Sequence, residues 1–495
     1  MDLAAGSLSP PLREAFPRLR QIEKLDRRYV RRLEELQLRA REFADLHLRG
    51  AALQSDRLAD GDPSHFDWDL VRAGARYGML DLIVPSQAGG EGGLATECAI
   101  VMEELCAACP GLANIFGAHA LGVAPLLIDG PAHWEVLREI VESGKRGEPM
   151  VMACALTEPD AGTDVEDVDL MAKARIASHA KRVPGGYALS GVKRFISNGS
   201  VARWLTVLMP VDPRRPAETW TCFLVDAESD GFSVGRVEHK MGQRACHAAE
   251  LVFEDVFVPD ERLVGRVGDG AGATLIVLAA SRPPVGAIAT GIARGAYERL
   301  LGWLREDPAA AGMLERQHVQ LQLARMAEEI HLARQAYMDA ATELDGAALG
   351  KAIGHPLLRG MGMVPGFVRR RSGVRRLMTS PPARDATARF MRRILDDRAI
   401  TRSLGLSSMA KARGGDVAMR VTHAALEIAG LTDAPVRAEL EKLWRDAKLT
   451  QIYEGTNQLN RIEVYRALVA GETMPALPRT GSRPEPVAAP AGVAG

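Results

Sequence analysis

The chain has 495 residues, with 62 Lys and Arg against 63 Asp and Glu, so its net charge is −1. This balance excludes a globally basic protein that binds nucleic acid, and no specific nucleic acid is expected as a partner. A hydrophobic content of 47% and a charged content of 25% are typical of a folded globular chain. At about 100–200 residues per domain, the length predicts roughly three domains.

The six cysteines match neither a disulfide scaffold nor a zinc-ligand pattern. The pair Cys106 and Cys109 has no second pair to complete a metal site, so buried small residues are favoured over a redox or metal role. The N-terminus lacks the order of a signal peptide, and no apolar stretch approaches the ~18 residues of a membrane span. These features predict a cytoplasmic protein without a metal.

Residues 1–149 have the texture of an N-terminal α-helical domain. Asp67 precedes an apolar helical pattern and is predicted to cap it. The segment from Thr96 to Cys109 is predicted to be a buried helix that carries Glu103 and Glu104 on its polar side.

Residues 150–262 change to short runs rich in Val, Phe, Tyr and Trp, separated by Gly, Pro, Asn and Asp. This spacing predicts a middle domain built as an antiparallel β-barrel. The predicted strands are 150–156, 186–191, 204–210, 220–225, 232–237 and 249–258.

Residues 263–470 return to a helical period and predict a C-terminal four-helix bundle. The fold class is therefore mainly α with a central β domain. The predicted bundle helices are 274–304, 318–344, 399–429 and 435–453. Residues 471–495 are rich in Pro, Ala and Gly, which predicts a disordered tail.

The glycine-rich segment Gly265–Gly272 follows a strand and precedes a helix, as a dinucleotide-binding loop would. Its spacing is not G-x-G-x-x-G and no second βαβ unit follows. An inter-domain turn is therefore favoured over a nicotinamide site.

Two further stretches carry candidate chemistry. In 154–164, Pro159 and Gly162 hold a turn open at the end of the first strand, where hydroxyl and N–H groups could bond a heteroaromatic edge or a phosphate. In 451–458, Gly455 suits the left-handed exit of a helix, and Thr456 or Asn457 can cap the next helix. Glu454 lies at the helix end that disfavours a carboxylate by ~0.3–1 kcal/mol. In an apolar pocket it would be a base with a raised pKa, as proton abstraction needs.

Four stretches together resemble the acyl-CoA dehydrogenase flavoprotein family. They are CALTEPDAGTD at 154–164, GVKRFISNGSVARWLTVL at 191–208, GFSVGRVEHKMGQRACHAAELVFEDVFVPDERLV at 231–264 and LWRDAKLTQIYEGTNQLNRIEVYR at 443–466. The match covers roughly residues 60–340 and 398–470. It implies the acyl-CoA dehydrogenase fold, FAD as cofactor, an acyl-CoA substrate, an electron-transfer flavoprotein or similar acceptor, and a homo-oligomeric dimer or tetramer.

The resemblance also implies roles for single residues. Glu454 falls on the family's catalytic base, which removes the α-proton of an acyl thioester before hydride passes from the β-carbon to flavin N5. Arg282 falls on an arginine near that carboxylate, assigned to catalysis and substrate binding, and Gly455 lines the substrate. Thr163 falls where a Ser contacts the CoA moiety and is grouped with the cofactor residues as well. The other implied cofactor residues are Leu156, Thr157, Phe195, Ile196, Ser197, Thr456 and Gln458. Phe195 replaces the usual Trp and Ser197 the usual Thr.

Two family elements differ in this chain. The segment Leu304–Gln317 lacks the Arg-x-x-Phe-Gly stretch, and Glu427–Leu431 replaces Gln-x-Leu-Gly-Gly. In the family, both reach the adenine and pyrophosphate end of FAD in a neighbouring subunit. An acidic Glu427 would repel a pyrophosphate there, which bears on flavin affinity and on the subunit arrangement.

Residues 346–395 interrupt the bundle with Gly, Pro and a dense basic load. Between Lys351 and Arg393 there are one Lys, ten Arg and one acid, Asp385. A solvated insertion is one interpretation. The other is a surface for anionic lipid at a membrane, for CoA phosphates or for a partner protein.

Two other functions remain open from the sequence. The chain could keep the fold as a scaffold that binds lipid, protein or nucleic acid through the basic insert. It could also be a relative that uses oxygen, as an oxidase or a flavin monooxygenase.

Overall fold

The computed structural model describes residues 11–16, 19–346, 372–430 and 434–473. These residues confirm the predicted order of helices, strands and helices. Most of the predicted disordered tail and residues 347–371 of the basic insert lie outside the described residues.

The N-terminal part of the chain is helical up to Lys145, as its texture predicts. Asp67 caps its helix by accepting a hydrogen bond of 2.9 Å from the backbone N–H of Leu70. The helices are α1 (Leu12–Ala15), α2 (Leu19–Leu25), α3 (Arg27–Phe43), α4 (Ala52–Gly61), α5 (Trp68–Arg76), α6 (Ala95–Ala108), α7 (Pro110–Ile128) and α8 (Trp134–Lys145).

Helix α6 has no polar side facing water. Glu103 and Glu104 are only 4% and 5% exposed, so the prediction that they lie on a polar side is wrong. Arg334 lies against Glu103, and Arg294 lies against both carboxylates. Buried charges persist when they are paired in this way.

The middle domain contains two four-stranded sheets, in the orders β1-β4-β5-β8 and β2-β3-β7-β6. Every pairing is antiparallel except that of β1 with β4, which run parallel with Met152 opposite Trp204. The strands are β1 (Met152–Ala155), β2 (His179–Val183), β3 (Gly186–Ser197), β4 (Trp204–Pro210), β5 (Trp220–Asp226), β6 (Phe232–Val237), β7 (Ala248–Pro259) and β8 (Leu263–Val264). The short helices α9 (Val168–Met171) and α10 (Pro216–Thr219) lie between strands. Strand β8 lies just beyond the predicted domain boundary at residue 262.

The C-terminal part contains the four long helices of the predicted bundle. They are α11 (Gly270–Glu306), α12 (Gln317–Leu344), α15 (Asp397–Ala429) and α16 (Pro435–Leu449), with α13 (Ser372–Met378) and α14 (Pro381–Ile394) between the second and third, and α17 (Asn457–Val464) at the end. Helix α16 ends at Leu449, four residues before the predicted Tyr453, so Glu454 lies in a turn between two helices.

Among the residues that the structure describes, two helices are long and apolar enough to cross a membrane by length and composition, α7 and α11. The prediction that no stretch approaches such a length is therefore wrong. The apolar windows of both helices are mostly buried inside the protein, which is also typical of core helices.

The described half of the basic insert packs against the sheet domain. Arg384 is 5% exposed and donates to the backbone carbonyls of Gly265, at 2.6 Å, and of Asp260, at 3.1 Å. Asp385 accepts from Arg266 at 3.1 Å. A fully solvated insertion is therefore wrong for this half, and Arg384 is not available to a membrane surface.

Candidate active site

A cavity of about 710 Å³ lies between α6, α7 and α11 on one side and the sheet domain on the other. This volume is within the range of small-molecule sites. The C-terminal turn after α16 and helix α14 complete its wall. Most of the side chains that line it are apolar, and a few carboxyl and hydroxyl groups converge within it.

Glu454 lines this cavity from the turn between α16 and α17. Its backbone is left-handed, with a φ of 56°, and Gly455 follows with a φ of 79°. A non-glycine residue in this region is strained, and such strain concentrates at functional sites. The hydroxyl of Ser281 donates to Glu454 Oε2 at 2.6 Å. The turn therefore holds the carboxyl at the cavity wall at a cost in backbone energy.

Burial raises the pKa of the Glu454 carboxyl above its ordinary value. The hydrogen bond from Ser281 and the positive charges of Arg282 and Lys411 act in the opposite direction and do not cancel the effect of burial. A carboxylate with a raised pKa holds a proton more strongly, as a general base requires.

Arg282 is fully buried and does not line the cavity. Its Nε donates to the carbonyl of Glu454 at 3.1 Å, and its two other nitrogens contact Ser408, Glu463 and Glu166. The structure thus places the arginine behind the Glu454 turn, where it supports the backbone. It does not bring Arg282 to the position from which it would contact a substrate, the role that the resemblance implies.

Gly455 is enclosed by charged groups and lies outside the cavity wall. A Cβ at this position would lie 2.7 Å from Glu166 Oε2 and 3.0 Å from Arg282 Nη2. Lys411 donates to the Gly455 carbonyl and, at 3.0 Å, to Asn457 Oδ1. Only glycine therefore allows the turn to approach this cluster so closely.

Glu166 is a second carboxyl in the cavity wall, which sequence reasoning missed. It is 8% exposed and pairs with Arg282 Nη2 at 3.3 Å. Burial raises the pKa of Glu166 to about 7; Arg282 opposes the rise, while Glu454 and Glu463 add to it. No spacing rule joins Glu166 to Glu454, because the two residues meet only through the packing of the sheet domain on α11.

The sheet side of the cavity contains most of the residues predicted for the cofactor. They are Leu156, Thr157, Thr163, Phe195, Ile196 and Ser197. The pairing of β3 with β7 shifts register between Lys193 and Ile196, and Phe195 adopts a left-handed φ of 60° there. This bulge leaves Phe195 54% exposed. Within the described ranges, the hydroxyls of Thr157 and Ser197 have no hydrogen-bond partner from the protein.

Thr456 and Gln458 do not line the cavity. The Thr456 hydroxyl caps α17 by accepting from the N–H of Leu459 at 3.4 Å, and Gln458 is exposed. Glu427 is also on the surface, 3.7 Å from His423. Contacts of these residues with a cofactor stay predictions.

The described part of the chain contains no cluster of three or more His, Cys, Asp or Glu residues that could hold a metal ion. Residues 265–272 form the turn into α11, closed by Arg266 Nε and Asp269 Oδ2 at 2.8 Å. This arrangement has the form of the predicted inter-domain turn.

Three family models match the chain in order. The N-terminal domain of acyl-CoA dehydrogenase matches residues 31–133, the middle domain matches 153–256, and the C-terminal domain matches 268–353 and 383–469. Together they cover most of the chain, and the gap in the last match falls within the basic insert.

The chain is similar to curated proteins over most of their length. It is 32% identical over 397 residues to cyclohex-1-ene-1-carbonyl-CoA dehydrogenase of Syntrophus aciditrophicus (strain SB), covering 80% of this chain and 81% of that protein. It is 29% identical over 441 residues to the probable acyl-CoA dehydrogenase FadE25 of Mycobacterium tuberculosis (strain ATCC 25618 / H37Rv), covering 88% and 95%. Among solved structures, butyryl-CoA dehydrogenase from Megasphaera elsdenii superposes with a TM-score of 0.69 at 25% identity, covering 88% of this chain and 97% of that one.

Proposed function

Because this chain belongs to the acyl-CoA dehydrogenase family, we propose that it converts an acyl-CoA thioester to the trans-2-enoyl-CoA. The family makes it a flavoprotein oxidoreductase that acts on a CH–CH group, with FAD as its cofactor. The observation that carries the proposal is Glu454, a half-buried carboxyl with a raised pKa at the wall of an apolar cavity. The closest polar support of that carboxyl is Ser281.

The residues on the sheet side fit a flavin ring. The unpaired hydroxyls of Thr157 and Ser197 can donate to a heteroaromatic edge, and the exposed Phe195 ring offers an apolar face. The Leu156 carbonyl accepts a hydrogen bond from Lys193 at 3.0 Å, which fixes the end of β1 beside the cavity. When bound, FAD supplies the two-electron acceptor for hydride from the β-carbon.

Glu454 is the proposed base for the α-proton of the thioester. Removal of a weakly acidic proton needs a base held within reach, and the strained turn with Ser281 fixes the carboxyl there. The apolar walls from α6, α7 and α11 exclude water around it. Thr163 is the proposed contact to the CoA moiety, since it also lines this cavity.

The decisive experiment compares Glu454→Gln with Glu343→Gln in the purified yellow protein. Glu343 is a partly exposed glutamate on α12 that pairs with Arg402 at 3.2 Å and lies outside the cavity, so its variant should keep the unsubstituted rate. We expect anaerobic bleaching of the flavin by short, medium, long or branched acyl-CoAs, and its loss in Glu454→Gln with FAD still bound. Full bleaching in Glu454→Gln would exclude this residue as the base.

We propose an electron-transfer flavoprotein or similar carrier as acceptor, and a homo-oligomer as the working form. The proposal of a homo-oligomer is supported by three apolar side chains on one C-terminal segment that are 48–71% exposed, those of Ile462, Tyr465 and Val469. Light scattering of the purified protein tests the oligomer.

Peroxide formation during turnover would favour an oxygen-using relative over a dehydrogenase. The cytoplasmic location and the membrane role of residues 351–393 stay predictions.

A further inference from the structure

The cavity extends in two directions from Glu454 along α11. Ser281, which bonds the Glu454 carboxyl, lies near the middle of the stretch from Ala273 to Ile288 that contributes to the wall. At 1.5 Å per residue this stretch is about 22 Å long. A thioester with its reacting carbons at Glu454 therefore has one arm of the cavity for its acyl chain and another for its carrier.

The arm toward Ile288 is closed. Its wall includes Met102, Val285 and Ile288, which are 3%, 5% and 3% exposed. Burial of an acyl chain in such an arm is favourable because the apolar surface leaves water. The closed arm is therefore suited to the acyl chain.

The arm toward Ala273 opens to solvent. Pro159 and Asp160 line the cavity and are exposed. The turn that follows them runs beside the same end of α11, because Val168 packs against the apolar cluster that contains Leu275 and Ile276. A carrier as large as CoA fits this open arm and not the closed one.

Helix α14 of the basic insert forms part of the wall at this open arm. Met391 and Leu395 line the cavity, are 7% and 3% exposed, and pack in the cluster of Leu275 and Ile276. Arg384, two turns earlier on the same face of the helix, fixes α14 to the sheet domain through its bonds to the backbone carbonyls of Gly265 and Asp260. The wall is therefore built into the fold.

We propose that α14 is a binding wall for the pantetheine arm of the thioester, with Met391 and Leu395 as the contacting side chains. The insert would then discriminate between carriers rather than between acyl chains. This inference rests on the proposed function, since it needs a thioester whose reacting carbons lie at Glu454.

The test uses Met391→Ala and Leu395→Ala in the full-length FAD-loaded protein. Each is assayed with one acyl group on two carriers, CoA and N-acetylcysteamine, which lacks most of the pantetheine arm. We expect the KM for acyl-CoA to rise about 10-fold through lost apolar contact, with the KM for the N-acetylcysteamine thioester unchanged. The acyl chain-length profile should also be unchanged.

Two control variants separate this role from general damage. Leu377→Ala removes a 69% exposed leucine of α13 outside the cavity and should change neither KM. Met391→Leu nearly conserves volume and should keep the KM for acyl-CoA.

The inference is overturned if Met391→Ala and Leu395→Ala shift the optimal chain length on both carriers, or if they leave both KM values unchanged. These outcomes differ from a failure of the proposed function. In that case no thioester on either carrier would bleach the flavin of the unsubstituted protein.

Discussion

At the residue scale, the Glu454 carboxyl receives its one side-chain hydrogen bond in the described structure from Ser281. This bond favours the ionised carboxylate and so lowers the pKa of Glu454 against the effect of burial. In Ser281→Ala the pKa of Glu454 should therefore rise further. A higher pH is then needed to ionise the base.

We expect Ser281→Ala to move the pH midpoint of flavin reduction upward and to slow reduction at pH 7 about 10-fold, as for a lost bond to a charged group. Stopped-flow reduction across pH measures both effects. Ser407→Ala is the matched control, because its buried hydroxyl donates to the α11 carbonyl of Ala279 at 2.8 Å and lies outside the cavity. An unmoved midpoint in Ser281→Ala would show that the serine does not act on the base.

Glu166 should raise the pKa of Glu454, whereas the hydrogen bond from Ser281 lowers it. Because its pKa is about 7, the Glu166 carboxyl becomes negatively charged near neutral pH. Glu166 and Glu454 both contact Arg282, Glu166 through its carboxylate and Glu454 through its backbone carbonyl. A like charge disfavours ionisation of the base. Arg282, Lys411 and Glu463 are the other charged groups around this pair, and all remain in the variant Glu166→Gln.

In Glu166→Gln we expect the pH midpoint of flavin reduction to fall, since the repelling charge is gone while the positive charges stay. The amide oxygen can still accept from Arg282, so the fold should persist. Asp164→Asn removes the same charge from the same turn outside the cavity wall and should leave the midpoint in place. A rise of the midpoint in Glu166→Gln would contradict this electrostatic account.

Glu454 could be singled out from the sequence because Gly455 and the following capping residues mark a joint between helices. Ser281 and Glu166 could not, since they lie 173 and 288 positions before Glu454 in the chain and carry no local signal. The left-handed backbone of Phe195 and Glu454 was equally invisible, because neither residue type favours it.

At the element scale, six of the eight strands in the described part of the chain could be predicted and two could not. His179–Val183 exposes Lys181 and Arg182 and lies at a sheet edge, so it lacks the apolar alternation of a half-buried strand. Leu263–Val264 is two residues long, too short for any periodic signal. Both are defined by their neighbours: β3 pairs with the first and β5 with the second.

Helix α6 shows why a polar pair on a helix does not identify its exposed face. Glu103 and Glu104 look solvated by composition, yet their partners Arg294 and Arg334 come from α11 and α12, about two hundred residues later. The charge pattern of a single helix cannot predict pairing over such separations. For the same reason, the basic composition of α14 could not predict that this helix forms part of a cavity wall.

At the scale of the whole molecule, the three predicted regions do not have three separate cores. One apolar cluster joins Leu105 of the N-terminal helices to Ile292 and Val417 of the bundle. The change in texture near residue 150 therefore marks the insertion of a sheet domain between two helical parts that share a core. The ion pairs of Glu103 and Glu104 lie within this shared region.

The negative charge of Glu103 links the N-terminal helices to the C-terminal bundle. Its carboxylate faces Arg334 Nε at 3.0 Å and Arg294 Nε at 3.1 Å, and it also contacts the Tyr337 hydroxyl. These arginines outweigh burial and hold the pKa of Glu103 below its ordinary value. The carboxylate thus stabilises the fold above its ordinary pKa, and this contribution is lost as pH falls through the lowered value.

We expect Glu103→Ala to reduce the free energy of unfolding by about 3–5 kcal/mol, because it leaves buried arginine charge without its carboxylate. The reduction should be largest near neutral pH and smaller in acid, where the unsubstituted protein also loses the charge. Urea denaturation followed by circular dichroism at several pH values measures it. Glu441→Ala, which removes an exposed partner of Arg445, should cost about 0.5 kcal/mol or less. Equal losses in the two variants would show that the buried network does not join the helical parts.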